Sequence, residues 1–154
     1  MKLTTRGRYA VTAMLDLTIH GSTNPVSLGD ISAREDISLA YLEQLFGGLR
    51  KAGLVDSVRG PGGGYRLARA DDAISIAAVI DAVDESVDAT RCGGNQNCRG
   101  DQACLTHDLW EGLSANIRDF LSDITLGELA RRHALRNAAT KTQTIKDMRP
   151  SAAG

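Results

Sequence analysis

All three cysteines of this sequence, Cys92, Cys98 and Cys104, fall within thirteen residues, and two residues separate the last of them from His107. The pattern Cys-x5-Cys-x5-Cys-x2-His offers three thiols and one imidazole, four soft or borderline donors. That is enough for one tetrahedral metal, or for two irons with two protein ligands each. Spacings of five residues suit an open, Gly-rich loop better than the tight Cys-x2-Cys knuckle of most zinc fingers, so structural zinc is the poorer match. A lone loop cysteine is ordinarily inert. Three in one loop beside a histidine point to metal or redox chemistry. His20 and His133 have no cysteine near them and read as surface or helix-end residues. Nothing resembling a base and oxyanion arrangement accompanies the thiols, so a nucleophilic enzyme or transfer carrier is the weaker reading. The protein is not expected to be an enzyme.

The thiol count is odd, which argues against a disulfide framework. The start, Met1 to Arg6, lacks the apolar core of a secretion signal, and no run approaches the roughly 18 apolar residues of a membrane span. We expect a cytoplasmic protein that does not enter the membrane.

The elements that would position this loop are mostly helical. A first helix is expected from about Thr5 to His20, capped by Thr4 or Thr5, with Tyr9, Ala13 and Leu17 on one face. Ser27 caps a short second helix, and Asp36-Ile37-Ser38 turns into a third that ends before Gly53. On this third helix Leu42, Leu45, Phe46 and Leu49 form a core stripe, leaving Ala40, Glu43, Gln44, Gly47 and Lys51 on the other side. Helix, turn, helix with a polar, small-residue face suits a DNA-reading helix, though a small helical bundle has the same pattern. The next segment favours DNA. Two short strands, 54–58 and 65–67, flank Arg59-Gly60-Pro61-Gly62-Gly63-Gly64, which makes a wing whose backbone can approach DNA closely and whose Arg59 brings charge.

A short apolar helix from Ser75 to Val83 and an acidic stretch from Asp81 to Asp88 lead into the loop, 90–105. Thr106 is expected to cap a long helix to about Asp123, carrying the stripe Leu109, Leu113, Ile117, Phe120 and Ile124. Thr125 and Glu128 read as a capping box opening a short helix to about His133, and residues 134–154 are expected to be disordered. Charge is segregated along this order. Residues 1–70 hold nine Lys/Arg against six Asp/Glu, residues 71–128 three against twelve, and residues 129–154 six against one. The net charge of −1 therefore conceals a basic reading half and an acidic middle.

Over residues 1–133 the sequence resembles the IscR family of bacterial iron–sulfur cluster regulators. The resemblance is carried by Gly7-Arg8-Tyr9-Ala10-Val11-Thr12-Ala13-Met14-Leu15-Asp16, Tyr41-Leu42-Glu43-Gln44-Leu45-Phe46 and Ser57 through Tyr65. It continues through Ala82 to Cys92, Cys104-Leu105-Thr106-His107 and Ile124 to Leu129. It implies a mainly α fold with a small β-hairpin: a winged helix-turn-helix plus a long dimerisation helix over 106–124. It further implies a homodimer on double-stranded promoter DNA, and a [2Fe–2S] cluster on Cys92, Cys98, Cys104 and His107. The cluster would come from the iron–sulfur assembly machinery, and its occupancy would control a regulator, mainly a repressor, of assembly genes. The DNA surface would comprise Ser38, Ala40, Tyr41, Glu43, Gln44, Arg59 and Gly60, with Glu43 and Gln44 in the major groove and Arg59 at the minor groove. Position 40 departs from the family, where serine is frequent. A winged-helix regulator that senses redox state through zinc or free thiols remains the alternative.

Overall fold

In the computed structural model, which describes residues 3–147, Thr4 opens the first helix: its hydroxyl accepts the Arg6 amide at 3.3 Å, and α1 runs over Thr5–His20. Its inward face is built from Gly7, Ala10, Ala13, Met14, Asp16 and Leu17, mostly small residues that let neighbouring elements approach closely. Tyr9 turns away from that face and meets Tyr41 edge-on, with ring centroids 5.8 Å apart. Ser27 and Ser38 cap α2 (Leu28–Glu35) and α3 (Leu39–Lys51) by accepting the Asp30 and Tyr41 amides. Between them Asp36, left-handed at φ 53°, makes the sharp turn of the helix-turn-helix.

The wing follows. Strands β1 (Val55–Val58) and β2 (Gly64–Leu67) pair antiparallel, with Val55 opposite Leu67. At the turn between them Gly60 and Gly62 hold φ of 98° and 73°, a region other residues enter only with strain. Val26 joins the far edge of the hairpin through two backbone hydrogen bonds with Tyr65, of 2.9 and 2.7 Å. The Tyr65 ring packs edge-on against Phe46, so the hairpin and α3 share a core contact.

After a 3-10 turn at Asp71–Ala73, α4 (Ile76–Ala82) leads to the cysteine loop, α5 (His107–Asp123) and α6 (Leu126–Asp147). One core joins α1 to α4, the hairpin and the first turn of α6, with Phe46, Met14 and Leu45 among its largest buried side chains, while α5 packs against it through Leu121. Backbone hydrogen bonds from Leu126 to Ile74 (3.0 Å) and from Ile76 to Ile124 (2.9 Å) stitch the start of α6 beside α4.

Besides Tyr9, which the periodicity places with Ala13 and Leu17 but which is exposed, two expectations require correction. The span 134–154 is not a disordered tail as far as it is described: α6 continues to Asp147, and residues 148–154 lie outside the described residues. The span has no apolar stripe, but good helix formers, Ala134, Leu135, Arg136, Ala138, Ala139 and Lys141, fill its start, and it holds no Gly or Pro before Pro150. Thr140, Thr142 and Thr144 turn their hydroxyls back onto carbonyls four residues earlier, and the packed first turn supplies the nucleus the helix extends. Thr106 stands at the start of α5, but its side chain caps nothing. The hydroxyl is engaged by the Trp110 indole N–H at 3.0 Å.

Candidate metal centre and DNA-reading face

Cys92, Cys98 and Cys104 sit in an irregular loop that carries few apolar residues, so its shape depends on hydrogen bonds and on the helix that follows. His107, the first residue of α5, is buried and faces back into the loop. Its Nδ1 lies 3.3 Å from Cys98 Sγ and 3.6 Å from Cys92 Sγ, and the two sulfurs are 3.5 Å apart. The donor atoms of Cys92, Cys98 and His107 all lie within 4.8 Å of one another, a spacing that one or more metal ions can bridge. Cys104 is adjacent but outside this ring: its amide donates to Cys98 Sγ at 3.5 Å, and its own thiol lies 3.9 Å from the Thr106 hydroxyl.

Partial burial pushes the Cys92 thiol up. The Cys98 thiol and the amides of Asn97, Gly94 and Gln96 outweigh it and bring Cys92 down to about 6. The Cys104 amide pulls Cys98 down, yet burial and the neighbouring Cys92 and Cys104 sulfurs raise it overall. Cys104 is lowered, chiefly by its hydrogen bond with Cys98. Cys92 is thus largely thiolate at neutral pH, the form that binds metals. On its far side His107 Nε2 is buried without a hydrogen-bond partner, and Glu111 Oε2 stands 3.8 Å away. One ring nitrogen toward thiols and the other within reach of a carboxylate is the usual setting of a ligating histidine. Beside the loop, Thr90, Cys98, Cys104, His107, Trp110 and Leu113 line an open cavity of about 540 Å³.

The second surface lies on α3 and the wing. Ser38, Ala40, Glu43 and Gln44 are exposed, and Tyr41 is half-buried against Tyr9. Their outward face opposes the buried Leu42, Leu45, Phe46 and Leu49, the division the spacing implied. Arg59 and Gly60 are exposed at the wing tip. The structure keeps these two groups of residues on separate elements. Between them α4 abuts α3, where a Cβ on Gly48 would stand 2.6 Å from the Ala82 carbonyl. Several polar residues now seen to shape the site were not singled out from sequence: Asp88, Thr90 and Ser114 around the loop, and Glu111 behind His107. Positions 111 and 114 follow His107 by four and seven residues, the spacing of one helix face, which is the signal that was there to find.

A winged helix whose α3 turns a polar face outward, with a thiol–imidazole loop behind it, is the architecture of a DNA-binding transcription regulator. The chain belongs to the Rrf2 family, described as iron-dependent transcriptional regulators, whose model matches residues 3–132. It is 67% identical over 129 residues to the HTH-type transcriptional regulator IscR of Vibrio cholerae, covering 84% of this chain and 75% of that one. Against IscR of Pectobacterium atrosepticum it is 56% identical over 154 residues, all of this chain and 93% of the relative. Among solved structures, T. potens IscR superposes with a TM-score of 0.71 at 38% identity, covering 86% of this chain and 88% of that one. CymR, the global cysteine regulator of B. subtilis, superposes with a TM-score of 0.74 at 32% identity, covering 86% and 98%. Among the described residues no helix is long and apolar enough to cross a membrane.

Proposed function

We propose that this regulator senses iron–sulfur status through a [2Fe–2S] cluster held by Cys92, Cys98, Cys104 and His107, and acts in the cytoplasm, mainly as a repressor of iron–sulfur assembly genes. The convergence of His107 Nδ1 on two thiols carries the reading. The residues fit the group. Three donors are already gathered, Cys104 is tied to Cys98 through its amide, and the thiolate form of Cys92 matches what iron requires. When bound, such a cluster supplies a redox-active, labile centre whose presence depends on iron and sulfide supply, delivered by the assembly machinery.

The chain's own residues do the rest. Cys92, Cys98 and Cys104 hold the loop, and His107 ties it to α5. Helix α5 packs on α4, and α4 on both α1 and α3, which gives a contiguous path from loop to reading helix. Leu109, Leu113 and Phe120 stand exposed along α5, an apolar stripe that supports pairing with a second copy. In the DNA complex Ser38, Ala40, Tyr41, Glu43 and Gln44 would approach the major groove, while Arg59 and Gly60 approach the minor groove. Anaerobic purification with iron and sulfide analysis tests the reading. We expect brown protein with about two irons and two sulfides per chain, colour lost in Cys92→Ala, and different operator affinities for cluster-loaded and cluster-free protein. Colourless protein with one tightly bound zinc would overturn it.

A further inference from the structure

We propose that Asp88, Thr90 and Ser114 are positioning residues that hold Cys92 in register with His107, so that part of the ligand set is arranged before any metal arrives. The inference rests on Cys92 and His107 being ligands. Asp88 Oδ1 accepts from the Thr90 amide at 2.7 Å and from the Thr90 hydroxyl at 2.6 Å. That hydroxyl in turn accepts from the Gly94 amide at 2.9 Å. The bond from Gly94 to Thr90 closes the chain over residues 91–93 into a tight turn with Cys92 at its middle, and the two bonds to Asp88 hold Thr90 in place for it. Gly93 and Gly94 allow the turn with φ of 61° and 82°. Asn95 completes it by donating both its amide (3.2 Å) and its side chain (3.0 Å) to the Cys92 carbonyl.

The turn is anchored to α5. Ser114 Oγ accepts from the Ala89 amide at 2.8 Å, and its own proton goes to the Trp110 carbonyl at 2.8 Å or to Asp88 at 3.4 Å. Ser114 follows His107 by seven residues, two helical turns, so both stand on one face of the same helix. The imidazole and the anchor of the Cys92 turn are therefore fixed to one rigid rod, and the thiol can be no further out of place than the short polar chain between them permits. A loop this poor in apolar contacts has little else to hold it.

The test uses the full chain, reduced and free of metal, with cobalt(II) alone as the probe. Its thiolate charge-transfer bands report the ligand set, and amide hydrogen exchange reports the turn without any metal. Asp88→Ala and Ser114→Ala should each weaken cobalt binding by about tenfold, the scale of outer-shell partners of metal ligands. Each should also speed exchange at Gly94 or Ala89 respectively. Asp88→Asn, which keeps the accepting oxygen, and Thr90→Ser, which keeps the hydroxyl, should restore most of the affinity; Thr90→Val should not. A purely structural role would lower thermal stability without this pattern of rescue. If Cys92→Ala loses the bands while Asp88→Ala and Ser114→Ala bind cobalt within twofold of wild type, the positioning role is wrong and the ligand reading stands. If Cys92→Ala keeps the wild-type spectrum, the ligand reading falls and this inference with it.

Discussion

Removing Arg34 should expose how firmly the reading unit is fixed to the rest of the protein. Its Nε and Nη2 donate side-on to the two oxygens of Asp16, at 2.9 and 2.7 Å, joining α2 to α1. The Asp16 side chain has no exposure, and that of Arg34 has 35%. Arg34→Met would leave a buried carboxylate without its cation. Breaking a fully buried pair in this way costs about 3–5 kcal/mol, and water reaching the outer side of Arg34 reduces that to about 2–4 kcal/mol. For a chain of this size the melting point should fall by roughly 6–12 °C. The loss should also depend on pH. Burial pushes the Asp16 carboxyl up, but Arg34 and the shared hydrogen bond with Glu35 hold it below its ordinary value of 3.8. A lowered carboxylate contributes stability that is complete above about pH 4 and disappears as pH falls through the lowered value. Without Arg34, burial is opposed only by the hydrogen bond with Glu35 and by His20, so Asp16 takes up a proton at a higher pH than in wild type. The stability gap between variant and wild type should be widest at pH 7 and narrow toward pH 4. Urea unfolding of the cluster-free protein, at fixed protomer concentration and across that range, measures it. A gap below about 1 kcal/mol that does not change with pH would refute the argument, because an exposed pair behaves that way.

Two further outcomes concern the surfaces. Glu43→Ala should relax sequence choice, since a carboxylate facing phosphates is tolerable only where it reads a base such as a cytosine amino group, whereas Arg59→Ala should weaken all sites evenly and lower the salt slope by about one. Titrations of matched and altered operators across a salt series separate the two effects; unchanged specificity and slope would remove both roles. Leu113→Asp with Ile117→Asp should convert the protein to monomers, or make it insoluble, with operator affinity lost, and a wild-type chain that sediments as a stable monomer at micromolar concentration would contradict the pairing of α5.

The helices of the reading half were legible because each carries its own local signals. Thr4 and Ser27 cap where their types predicted, Ser38 and Ser75 were legible as helix starts and in the fold cap those helices, and Leu42, Leu45, Phe46 and Leu49 are buried at the spacing that marked them. The candidate ligands were legible from residue type alone. Their grouping was not: that His107 meets Cys92 and Cys98 first, with Cys104 beside them, depends on hydrogen bonds between residues 15 to 26 positions apart, which no periodicity records. Helix α6 was missed beyond His133 because an exposed helix shows no apolar stripe and must be read from propensity. Glu85 was legible only as part of an acidic run. In the fold it is buried against the first turn of α1, where it accepts the Thr4 amide at 2.8 Å and leaves room only for the glycine at position 7.

The stitching of Leu126 to Ile74 also bears on how the protein is made. Synthesis proceeds from the N-terminus, yet the core that supports the recognition helix is completed by a side chain near the far end of the family-matched region. Every residue of the cysteine loop is made between those two partners. A nascent chain that has released its winged helix still lacks the cover for Ile74 and Ile76, and such long-range closure is slow. A message cut short within that loop therefore encodes a fragment whose Ile74 and Ile76 lack the backbone partners and the Leu126 cover that complete the core.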